Sequence, residues 1–194
     1  MQLAKILGLD ANTIGNINVH LYLQDEKGDA AIIEYLDKKQ VVHSGKQIKL
    51  FAITNDTHSD SIKYIKQFKE FGGSATIPSE FDSEPAFANS LQRFARIANA
   101  LKIMPKIETK LQAVSYAFNA LAYTQNPLPN TQWTSVFDLS DKTLYLRSID
   151  NQQIRIVRLN KFDISEGQPI RFLSVNNDLS EYVESKFKRL KTEL

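Results

Sequence analysis

The hydrophobic pattern of this chain changes its period twice, and the order of the changes limits the folds that it can adopt. In the first third, apolar positions alternate with polar ones or form short runs, as in β-strands. Turn residues such as Asp25–Gly28 separate these stretches. The pattern predicts four strands: Val19–Leu23, Ala30–Tyr35, Val41–Val42 and Lys49–Thr54. Because Ala30–Tyr35 is nearly all apolar, we expect both of its faces to be covered.

The middle of the chain has the helical period, and the strand pattern then returns. Helices are predicted over His58–Phe71, Phe87–Leu101 and Ile107–Leu121, with shorter ones at Leu3–Leu7 and Leu179–Lys191. Strands are predicted over Trp133–Leu139, Thr143–Ser148 and Ile154–Leu159. Strands, helices and strands in this order indicate an α+β fold, with antiparallel sheets and a helical layer. No composition change marks a boundary, so residues 1–194 are interpreted as a single domain.

Composition excludes several function classes. The chain has 194 residues, 42% of them hydrophobic, and a formal charge of +2 that is too small to indicate nucleic-acid binding. No apolar run is long enough to cross a bilayer, so no membrane association is expected. The absence of cysteine excludes disulfides, thiolate metal sites and thiol catalysis by these residues.

Metal and cofactor sites are not expected either. The three histidines, His20, His43 and His58, are scattered along the sequence without the spacing of metal ligands. No glycine-rich phosphate loop is present, and we predict neither a metal nor a cofactor.

Two short segments contain residues that could act on a polar substrate. Thr54 and Asn55 end a predicted strand just before a helix, where a side-chain amide could donate to an oxyanion. A turn or helix-cap asparagine is the alternative interpretation. Arg93 and Arg96 lie three residues apart, on nearly the same helical face, where solvated arginines are the alternative.

Four segments together resemble the choloylglycine hydrolase and penicillin V acylase family. In chain order they read VHLYLQDEKGDAAIIEYLDKKQVV, LFAITND, SLQRFAR and WTSVFDL to IVRL. The resemblance covers roughly residues 1–175, and this region is similar to the C-terminal portion of that family's domain. It implies part of an αββα N-terminal-nucleophile hydrolase sandwich, in which a cysteine at the mature N-terminus cleaves linear amides.

The resemblance also assigns roles to the two segments. It implies that Asn55 helps to form the oxyanion hole and that Arg93 supports the charge of the catalytic cysteine. Thr54 and Arg96 are assigned to substrate binding. The matching pattern around Asp25, Gly28 and Glu34 is interpreted as scaffold.

The leading hypothesis is a C-terminal fragment or subunit of a linear-amide hydrolase that lacks the catalytic cysteine and is inactive alone. A small-molecule amide would bind once a cysteine-bearing half completes the site. The alternatives are a subunit that is active with a cysteine-bearing partner chain, and a non-catalytic ligand-binding module. We also expect self-association or a partner chain, because apolar strands such as Ala30–Tyr35 should not face water.

Overall fold

The computed structural model describes residues 20–37, 39–79, 90–125, 131–174 and 181–190. These residues belong to two compact units, Met1–Met104 and Pro105–Leu194. The helix expected at Leu3–Leu7 lies outside the described residues, and the single domain over residues 1–194 stays a prediction.

The first unit begins with a three-stranded antiparallel meander. Its strands are β1 (His20–Gln24), β2 (Ala30–Leu36) and β3 (Lys39–Ser44), in that spatial order. In the β1–β2 turn, the Asp25 carboxylate accepts hydrogen bonds from the backbone N–H groups of Lys27 and Asp29. Gly28 in the same turn has a φ of +87°, which a residue without Cβ adopts at little cost. The prediction of a meander is confirmed.

The two faces of this sheet differ in chemistry. On one face Leu21, Leu23, Ile33 and Tyr35 form an apolar cluster. Successive residues of a strand alternate between faces, so the opposite face carries His20, Glu34 and His43 together with the fully buried Ile32. β2 is the central strand and is buried along most of its length, so the prediction that it is covered on both faces is confirmed.

Two helices form the main core of the first unit. They are α1 (His58–Ile65) and α2 (Ser90–Lys102), which pack against each other. The buried residues of this core are Ile65, Phe68, Phe94, Ala95 and Ala98. The first predicted helix is shorter than expected, since α1 ends at Ile65 and a separate 3₁₀ turn covers Lys69–Phe71.

The strand predicted over Lys49–Thr54 was wrong. A 3₁₀ turn at Gly45–Gln47 follows β3, and the chain then runs on as bends and irregular backbone. Leu50 and Ala52 pack against the helical core, so their apolar character comes from a helix contact and not from a sheet.

The second unit combines one helix with a second antiparallel meander. α3 spans Lys110–Ala122 and begins at a capping box formed by Thr109 and Gln112, which is why it starts after the predicted position. The strands β4 (Trp133–Asp138), β5 (Thr143–Ser148) and β6 (Arg155–Arg158) lie in sequence order. The Arg147 guanidinium lies 4.9 Å from the centroid of the Phe118 ring and links β5 to α3.

The helix predicted over Leu179–Lys191 was also wrong. Residues 181–190 contain a bridge between Tyr182 and Ile156, a 3₁₀ turn at Glu184–Lys186 and the short strand β8 (Lys188–Arg189). β8 pairs with β7 (Arg171–Phe172). Val183 is fully buried beside Val157, so tertiary packing overrides the helical spacing of this segment.

The described residues form an α+β fold with antiparallel sheets, as predicted. Their longest helices have 13 residues, and none has both the length and the apolar character that a bilayer span requires.

Candidate active site

The segment Thr54–Asp56 leads directly into α1. The N-cap of this helix is Thr57, whose side-chain oxygen accepts a hydrogen bond from the backbone N–H of Asp60. Asn55 lies two residues before the cap and is exposed. Thr57, and not Asn55, is therefore the helix cap, while the interpretation of Asn55 as a turn residue stays open. The Asn55 side chain lies at the surface of the first unit.

Ser90 is the first residue of α2, and its side chain joins this segment to the helix. Its Oγ accepts a hydrogen bond from the backbone N–H of Asp56 at 2.9 Å and donates to Thr54 Oγ1 at 3.1 Å. Ser90 is only 6% exposed. Both sequence neighbours of Asn55 are thus bonded to the start of the helix that carries the two candidate arginines. The Thr54 hydroxyl, predicted to bind substrate, accepts the Ser90 hydroxyl.

Arg93 lies three residues after Ser90 and leaves α2 on nearly the same face. Burial lowers the pKa of its guanidinium from the ordinary value, while the negative charge of Asp56 acts in the opposite direction. A guanidinium stays protonated at neutral pH in spite of such a shift. Arg93 is therefore a half-buried positive charge that interacts with the negative charge of Asp56, the residue after Asn55.

Arg96 has a different environment from that of Arg93. It is 7% exposed, and its Nη1 lies 3.4 Å from the carbonyl oxygen of Pro78 and 3.5 Å from that of Ser79. These long contacts show that Arg96 helps to hold the segment before residue 80. Its assignment to substrate binding stays a prediction.

A buried acid that sequence reasoning interpreted as scaffold lies close to this region. Glu34 is completely buried and receives hydrogen bonds from three elements. Its Oε1 lies 2.9 Å from His20 Nδ1 and accepts the backbone N–H of His58 at 2.8 Å. Its Oε2 lies 3.1 Å from His43 Nε2. The three histidines, which are scattered in sequence, therefore converge on one carboxylate.

The strand register contained a signal for this cluster. His20 and Glu34 are directly paired across β1 and β2, while His43 pairs with Ile32 on the neighbouring strand. His20, Glu34 and His43 therefore share one sheet face. Two histidines and a glutamate at these positions of a predicted meander would have indicated a polar cluster.

The His58 imidazole adds a buried, titratable ring to the cluster. Its centroid lies 5.3 Å from that of His43 and 6.2 Å from that of Phe94. Burial, followed by the proximity of His43, lowers the pKa of His58 below its ordinary value. Despite this convergence, the described residues include no group of three or more His, Asp or Glu arranged to hold a metal ion.

The arrangement brings a hydrogen-bond donor and a positive charge to one segment, and both are suited to polarising the carbonyl group of a substrate. Asn55 offers a side-chain N–H donor at the surface, and Arg93 offers a positive charge beside the same segment. Together they could stabilise negative charge that develops on an oxygen or sulfur atom. The 194 residues contain no cysteine that could supply a thiolate nucleophile.

Two penicillin V acylases are similar to this chain, one in sequence and one in fold. A curated penicillin V acylase from Pectobacterium atrosepticum is 26% identical over 163 residues, which is 76% of this chain and 43% of the acylase. The solved structure of penicillin V acylase from Agrobacterium tumefaciens matches with a TM-score of 0.70 and 24% identity, covering 89% of this chain and 56% of the other.

A more distant structure shows the same fold. A variant of the conjugated bile acid hydrolase from Clostridium perfringens matches with a TM-score of 0.54 and 15% identity, over 90% of this chain and 54% of the hydrolase. This chain spans about half the length of the relatives it matches. The profile of the linear amide C–N hydrolases of the choloylglycine hydrolase family matches residues 1–181. This match covers more than half of the chain and shows that it belongs to the choloylglycine hydrolase family of linear amide C–N hydrolases.

Proposed function

We propose that these residues form the substrate-polarising part of a linear-amide hydrolase site, in which Asn55 and Arg93 act on a reaction whose nucleophile is a cysteine outside the 194 residues. The observation that carries this proposal is the Ser90 hydroxyl, which bonds both neighbours of Asn55 to the start of the helix that carries Arg93. Family membership supplies the reaction class.

Asn55 would act on the carbonyl oxygen of the amide. As the cysteine sulfur attacks the carbonyl carbon, negative charge develops on that oxygen, and a side-chain N–H about 3 Å away stabilises it. Such a donor accelerates the reaction because its hydrogen bond is stronger in the transition state than with the neutral substrate. The exposed position of Asn55 leaves it accessible to a substrate.

Arg93 would stabilise the thiolate. A positive neighbour favours the ionised form of a cysteine, which is the nucleophilic form. In the covalent route, the α-amino group of the cysteine takes the thiol proton and delivers it to the leaving amine, and water then hydrolyses the thioester. Because the 194 residues contain no cysteine, we expect the chain alone to be inactive.

Complementation tests this proposal. The full 194-residue chain is co-expressed with the cysteine-bearing N-terminal segment of a penicillin V acylase, and size-exclusion chromatography establishes that the two assemble. Hydrolysis of penicillin V, a conjugated bile acid and simple N-acyl amides is then measured for the chain alone and for the assembly. We expect turnover only in the assembly.

Two variants and a matched control assign the residues. Asn55→Ala should lower kcat of the assembly by roughly 10² to 10³, as expected for loss of one oxyanion donor. Arg93→Met should raise the pH at which activity appears, because the thiolate loses its positive neighbour. Asn119→Ala, an exposed change on α3, serves as the control and should leave kcat unchanged.

Two results would contradict the proposal. One is turnover by the purified chain alone that disappears in Asn55→Ala, since it would require another nucleophile. The other is an assembled complex that binds these amides without cleaving them, which would favour a non-catalytic binding module.

A further inference from the structure

Glu34 is a buried acid whose hydrogen-bond donors come from three separate elements of the first unit. The two imidazoles belong to β1 and β3, and the backbone N–H belongs to the first residue of α1. No described lysine or arginine forms an ion pair with it within 4.0 Å. A carboxylate accepts several hydrogen bonds and donates none, so it matches this set of donors.

The bond to the His58 backbone has a consequence for α1. The first N–H groups of a helix have no acceptor within the helix, and Glu34 satisfies one of them. A negative group at this end also interacts favourably with the helix dipole. Glu34 therefore fixes where α1 begins relative to the β1–β2–β3 sheet.

Asn55 lies between two anchored positions. On one side, the Thr54 hydroxyl accepts a hydrogen bond from the Ser90 hydroxyl. On the other, the Ser90 oxygen accepts the backbone N–H of Asp56, and Glu34 accepts that of His58, three residues after Asn55. The segment around Asn55 is thus hydrogen-bonded both to α2 and to the β1–β2–β3 sheet. An oxyanion donor needs this support, because an error of about 0.5 Å already weakens such a site.

We propose that Glu34 is a positioning residue for Asn55, which it orients through the His58 backbone while His20 and His43 hold its carboxylate in place. This inference rests on the proposed function of Asn55. Glu34 itself touches neither the substrate nor the reacting atoms in this scheme. Its effect is to reduce the mobility of the Asn55 side chain.

Nuclear magnetic resonance of the full chain tests the positioning without any catalytic assay. Glu34→Gln preserves the shape of the side chain but replaces one acceptor oxygen with a donor group. We expect an upfield shift of the His58 backbone amide proton and a shift or broadening of the Asn55 side-chain amide signals. The exposed Glu26→Gln in the β1–β2 turn is the matched control and should change neither set of signals.

A second comparison separates positioning from general destabilisation. Leu21→Ala weakens the apolar cluster on the opposite sheet face and should lower the melting temperature without moving the Asn55 signals. If Glu34→Gln does not fold, His43→Phe removes one donor to the carboxylate at similar volume, and a smaller effect on the same signals is expected. Unchanged Asn55 signals in the folded Glu34→Gln or His43→Phe variant would overturn the proposal.

The complemented enzyme gives a kinetic readout as well. Glu34→Gln should lower kcat about 10-fold with little change in KM, since only a transition-state contact is weakened. Combined with Asn55→Ala it should cause no further loss, because both changes act through one side chain. An active assembly in which the two losses multiply would overturn the positioning role. An inactive assembly in which Glu34→Gln still moves the Asn55 signals would contradict the proposed function alone.

Discussion

The Ser90 hydroxyl donates to the Thr54 hydroxyl at 3.1 Å across 36 positions of the sequence. The same Ser90 oxygen accepts the backbone N–H of Asp56, so one side chain joins both neighbours of Asn55 to α2. This pair of bonds places the Asn55 segment beside the helix that carries Arg93. The integrity of the candidate site therefore depends on a residue that takes no part in the proposed chemistry.

Replacing Ser90 should destabilise the chain measurably. Ser90→Ala removes the acceptor of the part-buried Asp56 N–H and the donor to Thr54, and loss of such hydrogen bonds should lower the free energy of unfolding by about 1 kcal/mol. Urea unfolding followed by circular dichroism measures the loss. The control, Ser115→Ala on the exposed side of α3, should change the free energy of unfolding by about 0.5 kcal/mol or less. Equal effects of the two changes would contradict the bridging role of Ser90.

The His58 imidazole should make the fold sensitive to acid. Burial and the nearby His43 lower its pKa below 6.5, against weaker opposing effects of the Ala52 backbone and Glu34. The unfolded chain then binds a proton more readily than the folded chain. The contribution of His58 to stability is therefore complete above pH 6.5 and is lost as the pH falls from 6.5 through the lowered pKa.

The variant His58→Phe isolates this contribution, because it keeps an aromatic ring beside Phe94 without a titratable group. The free energy of unfolding is measured at several pH values between about 7.5 and 5. As the pH decreases, the free energy of unfolding of the original chain should fall relative to that of the variant. Parallel curves would show that His58 does not titrate differently in the folded state.

Elements with a strong local period could be predicted from the sequence. β2 and α2 were recognised because their apolar positions follow the period of a strand and a helix. The predictions of a strand over Lys49–Thr54 and of a helix over Leu179–Lys191 are wrong for a shared reason. Both segments contain apolar residues whose packing partners are distant in sequence. Val183, for example, packs beside Val157, a contact that no local pattern reveals.

In the candidate site, too, some residues are predictable from a local sequence segment and others only from the tertiary structure. Asn55 and Arg93 are predicted as site residues because they lie in short segments that resemble those of a known family, and this assignment stays a prediction. Glu34 was interpreted as scaffold, and His20 and His43 as isolated, because each side chain has an ordinary local explanation. Only the strand register brings them to one face, and only the start of α1 shows what the carboxylate binds. Cooperative polar clusters depend on tertiary geometry in this way.

The ion pair between Glu184 and Arg158 should stabilise the second unit at neutral pH. Its Nε–Oε1 distance is 2.6 Å, and the hydrogen bond to Arg158 lowers the pKa of Glu184 from 4.5 to about 2. Stability from this group is therefore present above pH 4.5 and is lost as the pH falls toward 2. Glu184→Gln should lower the melting temperature at neutral pH and flatten its decrease in acid, whereas the exposed Glu166→Gln should do neither. An acid profile of Glu184→Gln that parallels the original would refute the contribution.

Self-association is expected from β4 and not from β2. The central strand β2 is buried, so the original reason for expecting association does not apply. On β4, however, Trp133 is 58% and Phe137 is 54% exposed, and alternation places both on one face. β4 also lies at an edge of its described sheet, where unpaired backbone groups favour further pairing.

Phe137→Ser tests this surface directly. Light scattering over a range of protein concentrations should show an average mass that rises with concentration for the original chain and rises less for the variant, because the apolar face is smaller. Leu111→Ser is the matched control, since Leu111 is 78% exposed on α3 and lies outside the β4 face. A mass that stays monomeric at all concentrations, or an equal reduction by both variants, would show that the β4 face does not drive association.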